Sequence, residues 1–249
     1  MSKLADKIRK VTRVESQPIG FGTSRASSSA TMLIAGVARD AASAAEMARR
    51  GADIVIIGAA DAAAPAAGAN GAAGAPVGGW IAGRADNEAK SYREGGYDFV
   101  IFDPGTASAT ALLDEEIGYV LSSPGDLTDN ELRTIEAFQL DAIDVGAISG
   151  SLTVRRQIDL RRIFSLTRKP MMAAVDAGIS VTELQALRDA NVIVVTAESA
   201  DGVERLRKTV DALPPRARRK DGDDRPTPLV PRASFTEEAD DEEHEHEGA

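Results

Sequence analysis

The chain has 249 residues, enough for one large α/β domain with a sizeable core; 43% of them are apolar but only 4% aromatic, so that core must be built from Ala, Val, Ile and Leu. Cysteine is absent, which excludes disulfides, thiolate nucleophiles and thiolate metal sites together. A net charge of −10 argues against nucleic-acid binding, and no apolar run approaches the roughly 18–20 residues that a membrane-spanning helix needs.

The opening MSKLADKIRK is charged without the apolar centre of a secretory signal, so a cytoplasmic location is expected. From Ser2 to about Val14 the chain can form a short helix with Leu4, Ile8 and Val11 on one face; SQPIGFGTSRASSSA then reads as a Gly/Ser-rich connection. Together these make up residues 1–30. Apolar runs of strand length follow at Thr31–Ala38, Ala52–Ala59, Val77–Gly83, Tyr97–Asp103, Ile117–Ser122, Asp141–Ile148, Pro170–Asp176 and Asn191–Ala197. A helical pattern follows nearly every one. Asp40 and Asp86 are predicted N-caps for helices that stop at Gly51 and Gly95, and Thr128 with Glu131 and Ser180 with Glu183 have capping-box spacing. The stripe Val203, Leu206, Val210, Leu213 marks a last helix ended by Pro214 and Pro215. The Ala/Gly-rich stretch 59–76 reads as a long loop.

Beyond Pro214 the composition changes to a basic block, an apolar island LVPRASF and an acidic end; from Ala233 to Ala249 there are eight acids and no Lys or Arg. Residues 214–249 are therefore expected to be a disordered charged tail, with the island as a docking motif for a protein partner. Eight strands alternating with helices over 31–213 leave a closed (β/α)₈ barrel or an open doubly wound sheet. The turn after the first strand, GVARDAAS, lacks the G-x-G-x-x-G fingerprint that an open dinucleotide-binding sheet would show. The fold class is thus α/β, a single (β/α)₈ barrel with an acidic tail.

The stretch KPMMAAVDAGISVTELQALRDANVIVVTAES resembles the seventh and eighth units of the phosphate-binding (β/α)₈ barrels, the ribulose-phosphate-binding superfamily, and ARDAASAAEMARRGADIVIIG resembles their first βαβ unit. The resemblance implies a phosphate held by turns after strands seven and eight. Here those turns read Ala177-Gly178-Ile179-Ser180, with one of the family's two glycines, and Thr196-Ala197-Glu198, with the glycine gone and an acid beside it.

In such barrels functional residues stand at the C-terminal strand ends. A polar side chain late in a strand points inward or to the mouth, because burial against the helix layer would strip it of water. This selects Arg84, Asp103, Ser122, Asp144, Asp176, Thr196 and Glu198, with Gly178 and Ser180 as phosphate-turn positions. Asp144 is the most informative, being mid-strand between Ile143 and Val145 where no cap or turn accounts for it.

The three aspartates would supply acid–base chemistry or hold a cofactor Mg²⁺ through oxygen ligands, while Arg84 clamps an anion. Alternatively, they form an Arg–Asp network that only fills the barrel centre. Both histidines lie in the tail and no lysine stands at a strand end, which argues against an imidazole base and Schiff-base chemistry. Three readings remain: a lyase or isomerase acting on a small anionic, phosphorylated metabolite; an inactive barrel that binds partners through its tail; and a flavin-binding oxidoreductase.

Overall fold

The eight apolar runs become eight short parallel strands: β1 (Leu33–Ala38), β2 (Ile54–Ile57), β3 (Val77–Ile81), β4 (Phe99–Phe102), β5 (Gly118–Ser122), β6 (Ala142–Ile148), β7 (Met171–Val175) and β8 (Val192–Ala197). In the computed structural model, which describes residues 2–12, 31–58, 74–81, 88–122 and 127–215, each strand pairs with the next and β8 pairs back to β1. Leu33 lies opposite Val194 at that closure and Ala35 opposite Ile54 on the other side. Closure leaves no strand edge unpaired.

Alternation along each strand sorts the side chains into two cores. Inside the barrel, Leu33, Ile54, Ile56, Phe99, Ile101, Val120, Met172 and Val194 pack together. Outside, Ile34, Val55, Val100, Leu121, Ile143 and Val195 pack beneath the helices. Gly78 faces inward, and a Cβ there would collide with the Phe99 ring; Gly79 faces outward and makes room for Tyr92 and Tyr97 in the same way.

The helices are α1 (Lys3–Thr12), α2 (Ala41–Arg49), α3 (Glu88–Glu94), α4 (Asp129–Glu136), α5 (Val154–Thr167), α6 (Val181–Asp189) and α7 (Ala200–Asp211). Asp40 caps α2, and Thr128 and Ser180 start α4 and α6 with complete capping boxes. Asp86, Arg84, most of the 59–76 loop and the tail from residue 216 lie outside the described residues. Strand β4 is followed by a 3₁₀ turn at Ala109–Leu113, one of the exceptions to the run of helices. Asp103, Pro104 and Gly105 there form a turn in which the Asp103 carboxylate accepts the Gly105 N–H at 2.6 Å.

Helix α1 stoppers the end of the barrel where the strands begin. Its buried Leu4 and Ile8 join the interior core. Its first turn is capped from across the fold: the N–H groups of Lys3 and Leu4 donate to the Asp98 carboxylate at 2.8 and 2.9 Å, and Ser2 Oγ donates to Asp141 at 2.5 Å. Asp98 and Asp141 immediately precede β4 and β6. The opposite end, where the strands finish, is the mouth of the barrel. No helix among the described residues is long and apolar enough to cross a membrane.

Candidate functional site

The mouth of the barrel collects inward-facing positions late in several of the strands. These are Val37 on β1, Trp80 on β3, Ser122 on β5, Asp144 on β6, Ala174 on β7 and Thr196 on β8. Ser122 and Asp144 are register partners on neighbouring strands, and Thr196 is the partner of Ala174. Thr196 is buried, while Ser122 and Asp144 are half-buried. One step beyond the strands, Asp103, Asp176 and Glu198 are exposed.

Asp144 sits at the only irregularity in β6. Pairing with β7 runs Ile143–Met171 and Asp144–Met172, then resumes at Ala147–Ala174, so Val145 and Gly146 together oppose one residue of β7. This is a β-bulge. Gly146 adopts φ +73°, a region that L side chains rarely enter, and its N–H donates to Asp144 Oδ1 at 3.0 Å. The expectation that no turn accounts for Asp144 is thereby corrected: the bulge supplies its carboxyl with a backbone donor. Burial pushes the Asp144 carboxyl above the usual carboxylate range, and the Gly146 N–H opposes that shift without cancelling it. The Val145 carbonyl, within the bulge, accepts from the Arg156 guanidinium at 2.9 Å. Arg156 comes from the first turn of α5, below the cap made by Thr153.

The other aspartates are engaged locally. Asp103 holds its own turn, and Asp176 accepts the Gly150 N–H at 3.4 Å, tying the end of β7 to the loop after β6. Among the described residues no three carboxylates or histidines come close enough to hold a metal ion. The expected Mg²⁺ trio Asp103, Asp144, Asp176 is therefore not brought together: Asp144 lies within β6, Asp103 and Asp176 just beyond β4 and β7, and each accepts from a backbone amide of its own.

The phosphate-turn positions divide. Gly178 is exposed, and a Cβ there would meet nothing within 4 Å. Ser180 is engaged as the α6 cap: its Oγ accepts from the Glu183 N–H at 3.2 Å and donates to Glu183 Oε2 at 2.7 Å. The Ser180 hydroxyl, its N–H and the Leu152 N–H hold the Glu183 carboxyl below the usual range, so a negative charge already occupies the start of α6.

Sequence reasoning passed over Trp80, Arg39 and Arg156. Alternation along β3 would have placed the chain's single Trp inside, and alternation along β1 carries from Val37 to exposed Arg39 at the strand end. A groove of about 380 Å³ lies at the stoppered end, between α1 and the starts of β6 to β8, lined by Ile8, Arg9, Phe164, Arg168 and Asn191. That is the end of a barrel where residues serve stability.

No protein-family model matches the chain, and no curated protein matches it. Solved structures do. The chain is similar to a 3-keto-L-gulonate-6-phosphate decarboxylase from Vibrio cholerae, with 13% identity and a TM-score of 0.60 over 74% of this chain and 99% of that one. It is similar to a Rubisco-like protein from Rhodopseudomonas palustris, with 15% identity and a TM-score of 0.58 over 86% of this chain and 69% of that one. The tryptophan synthase from Pyrococcus furiosus gives 15% identity and a TM-score of 0.54 over 73% and 97%. These likenesses show the fold, and at that level the resemblance to phosphate-binding (β/α)₈ barrels is met.

Proposed function

We propose that the protein is an enzyme of the lyase or isomerase type that moves a proton on a small anionic metabolite at the barrel mouth, with Asp144 as the acid–base group. The observation that carries this reading is the Asp144 carboxyl itself: inward-facing, half-buried, and biased by burial toward its neutral form. A carboxyl shifted upward in this way both gives and takes protons closer to neutral pH than an exposed one. Ser122 on the adjacent strand and Thr196 across β7 supply hydroxyls to orient a bound oxygen.

Arg39 at the end of β1 and Arg84, which follows β3 in sequence, are the cations available to an anionic substrate. Asp103, Asp176, Glu198 and Glu183 disfavour a dianion beside β4 and β7–β8, so the substrate's charge belongs on the β1–β3 side of the mouth. The Vibrio cholerae neighbour is named for a phosphorylated substrate, which supports a phosphate as that charge. The composition, free of Cys, fits a cytoplasmic setting.

The test is incubation of the purified full-length protein with a cellular metabolite pool. Native mass spectrometry reads the bound species, and chromatography with mass detection reads its conversion. Asp144→Asn is expected to keep the bound mass and to slow conversion by about 10²–10⁴-fold, the usual worth of a general acid or base. Conversion that proceeds undiminished in Asp144→Asn would remove Asp144 from the chemistry.

A further inference from the structure

We infer that Arg156, a residue of the helix layer that does not itself enter the mouth, is the positioning residue for Asp144, acting by gripping the Val145 carbonyl and thereby holding the β6 bulge in shape. The inference rests on the reading of Asp144 as the acid–base group.

The argument starts from the ladder. A parallel strand pair gives each carbonyl a neighbour's N–H, and a bulge withdraws one. Between Asp144–Met172 and Ala147–Ala174 the β6 strand carries one residue more than β7, so the regular pairing that holds strand carbonyls is interrupted at Val145. Val145 is buried against the helix layer, and a carbonyl left unpaired in such surroundings is costly. The partially buried Arg156 guanidinium answers it with a charge-assisted bond of 2.9 Å. With the carbonyl held, the same planar peptide directs its N–H, on the opposite side, toward Asp144 Oδ1 at 3.0 Å. The grip is on the outer face of the sheet and the carboxyl is on the inner face; the Val145–Gly146 peptide joins them.

Among the described residues, no other side chain is seen to hold the Val145 carbonyl. The residue paired with Asp144 across β5 is Ser122, and across β7 it is Met172. Gly146 supplies only the backbone freedom: with φ +73° and nothing within 4 Å of a Cβ, it permits the bulge without fastening it. On α5 the neighbouring Arg155 is exposed and pairs with Asp159 along its own helix, and Arg162 pairs with Asp129 on α4. Arg156 alone among the α5 arginines reaches a strand.

The experiment needs no substrate. The backbone amide of Gly146 is followed by NMR, through its proton shift and its hydrogen-exchange rate, in the full-length protein and in Arg156→Met and Arg156→Lys. Arg156→Met is expected to raise Gly146 exchange by about tenfold or more, the loss of one hydrogen bond's protection, and to move its proton shift upfield. The buried Ile101 and Val194 amides should stay as they are. Lysine, which keeps a single charged donor, should restore part of the protection.

A Gly146 amide with wild-type shift and exchange in a folded Arg156→Met protein would overturn the inference. Should Arg156→Met fail to fold, Arg156→Lys is decisive by the same readout, because a shorter side chain ending in an ammonium does not reproduce the guanidinium's fixed donor geometry and must already loosen Gly146. The outcomes separate cleanly from those of the proposed function. A change at Gly146 with undiminished turnover in Asp144→Asn sinks the catalytic reading and leaves the grip. An unchanged Gly146 with turnover lost in Asp144→Asn does the reverse.

Discussion

At the scale of single residues, Asp144 joins two consequences that act in opposite directions. Its neutral form is favoured in the fold, so its contribution to stability is intact below the unfolded value of about 4 and is lost as pH rises through the higher folded value. Asn keeps an oxygen for the Gly146 N–H and cannot ionise. Asp144→Asn should therefore melt at a higher temperature than the wild type at neutral pH, with the difference closing as pH falls to about 4. Asp141, which burial also raises, remains in both proteins and leaves the same slope behind. A variant that is more stable and less active is the signature of a residue kept for chemistry, whereas a structural network would lose stability with it. Two glycines test the packing directly. Gly78→Ala drives a methyl into the Phe99 ring and should cost about 1–3 kcal/mol in denaturant unfolding; Gly178→Ala meets nothing and should stay within about 0.5 kcal/mol.

At the scale of elements, what the sequence disclosed followed from how local each signal was. All eight strands are legible because each is a short apolar run, and the starts of α2, α4 and α6 because the capping partners stand three residues apart. The 3₁₀ turn after β4 was hidden in an Ala-rich segment whose composition suits a helix but whose path is set by the Asp103–Gly105 turn. The bulge was half visible: a glycine inside a strand pattern signals one, yet DAIDVGAI also scans as plain alternation. Arg156 was illegible, since an arginine on a surface helix looks like any solvated charge until its carbonyl partner eleven residues away is in view. For α1 the apolar stripe marked a buried face but not its partner. Its cap comes from Asp98, and Asp98→Ala should leave two helix N–H groups unmet and cost about 1–2 kcal/mol, read by chemical denaturation.

At the scale of the whole molecule, the barrel stands or falls with its closure between β8 and β1. Arg207 on α7 spans that seam, donating to the Gly51 carbonyl and pairing with Asp53 at 2.6 Å, while Asp53 also accepts the Ile34 N–H at 2.9 Å. Both side chains are about a quarter exposed, so water screens part of the charge and the hydrogen bonds carry most of the effect. Arg207→Ala should lower stability by about 1–3 kcal/mol. The denaturant midpoint should fall with the m-value unchanged, because a closed sheet unfolds as one unit. A changed m-value would instead mean that the seam opens separately.

The stopper at the base of the barrel bears on the order of events during synthesis. Helix α1 leaves the ribosome before any strand of the barrel, yet Asp98 lies 94 residues beyond Leu4 and Asp141 lies 139 residues beyond Ser2. At a translation rate of about 5–20 residues per second the nascent helix waits several seconds with Leu4 and Ile8 uncovered, and it docks only once later strands have emerged to receive it. A helix made ahead of the strands is thus among the last elements to be seated, which makes it a natural foothold for a chaperone and a low-φ element in refolding.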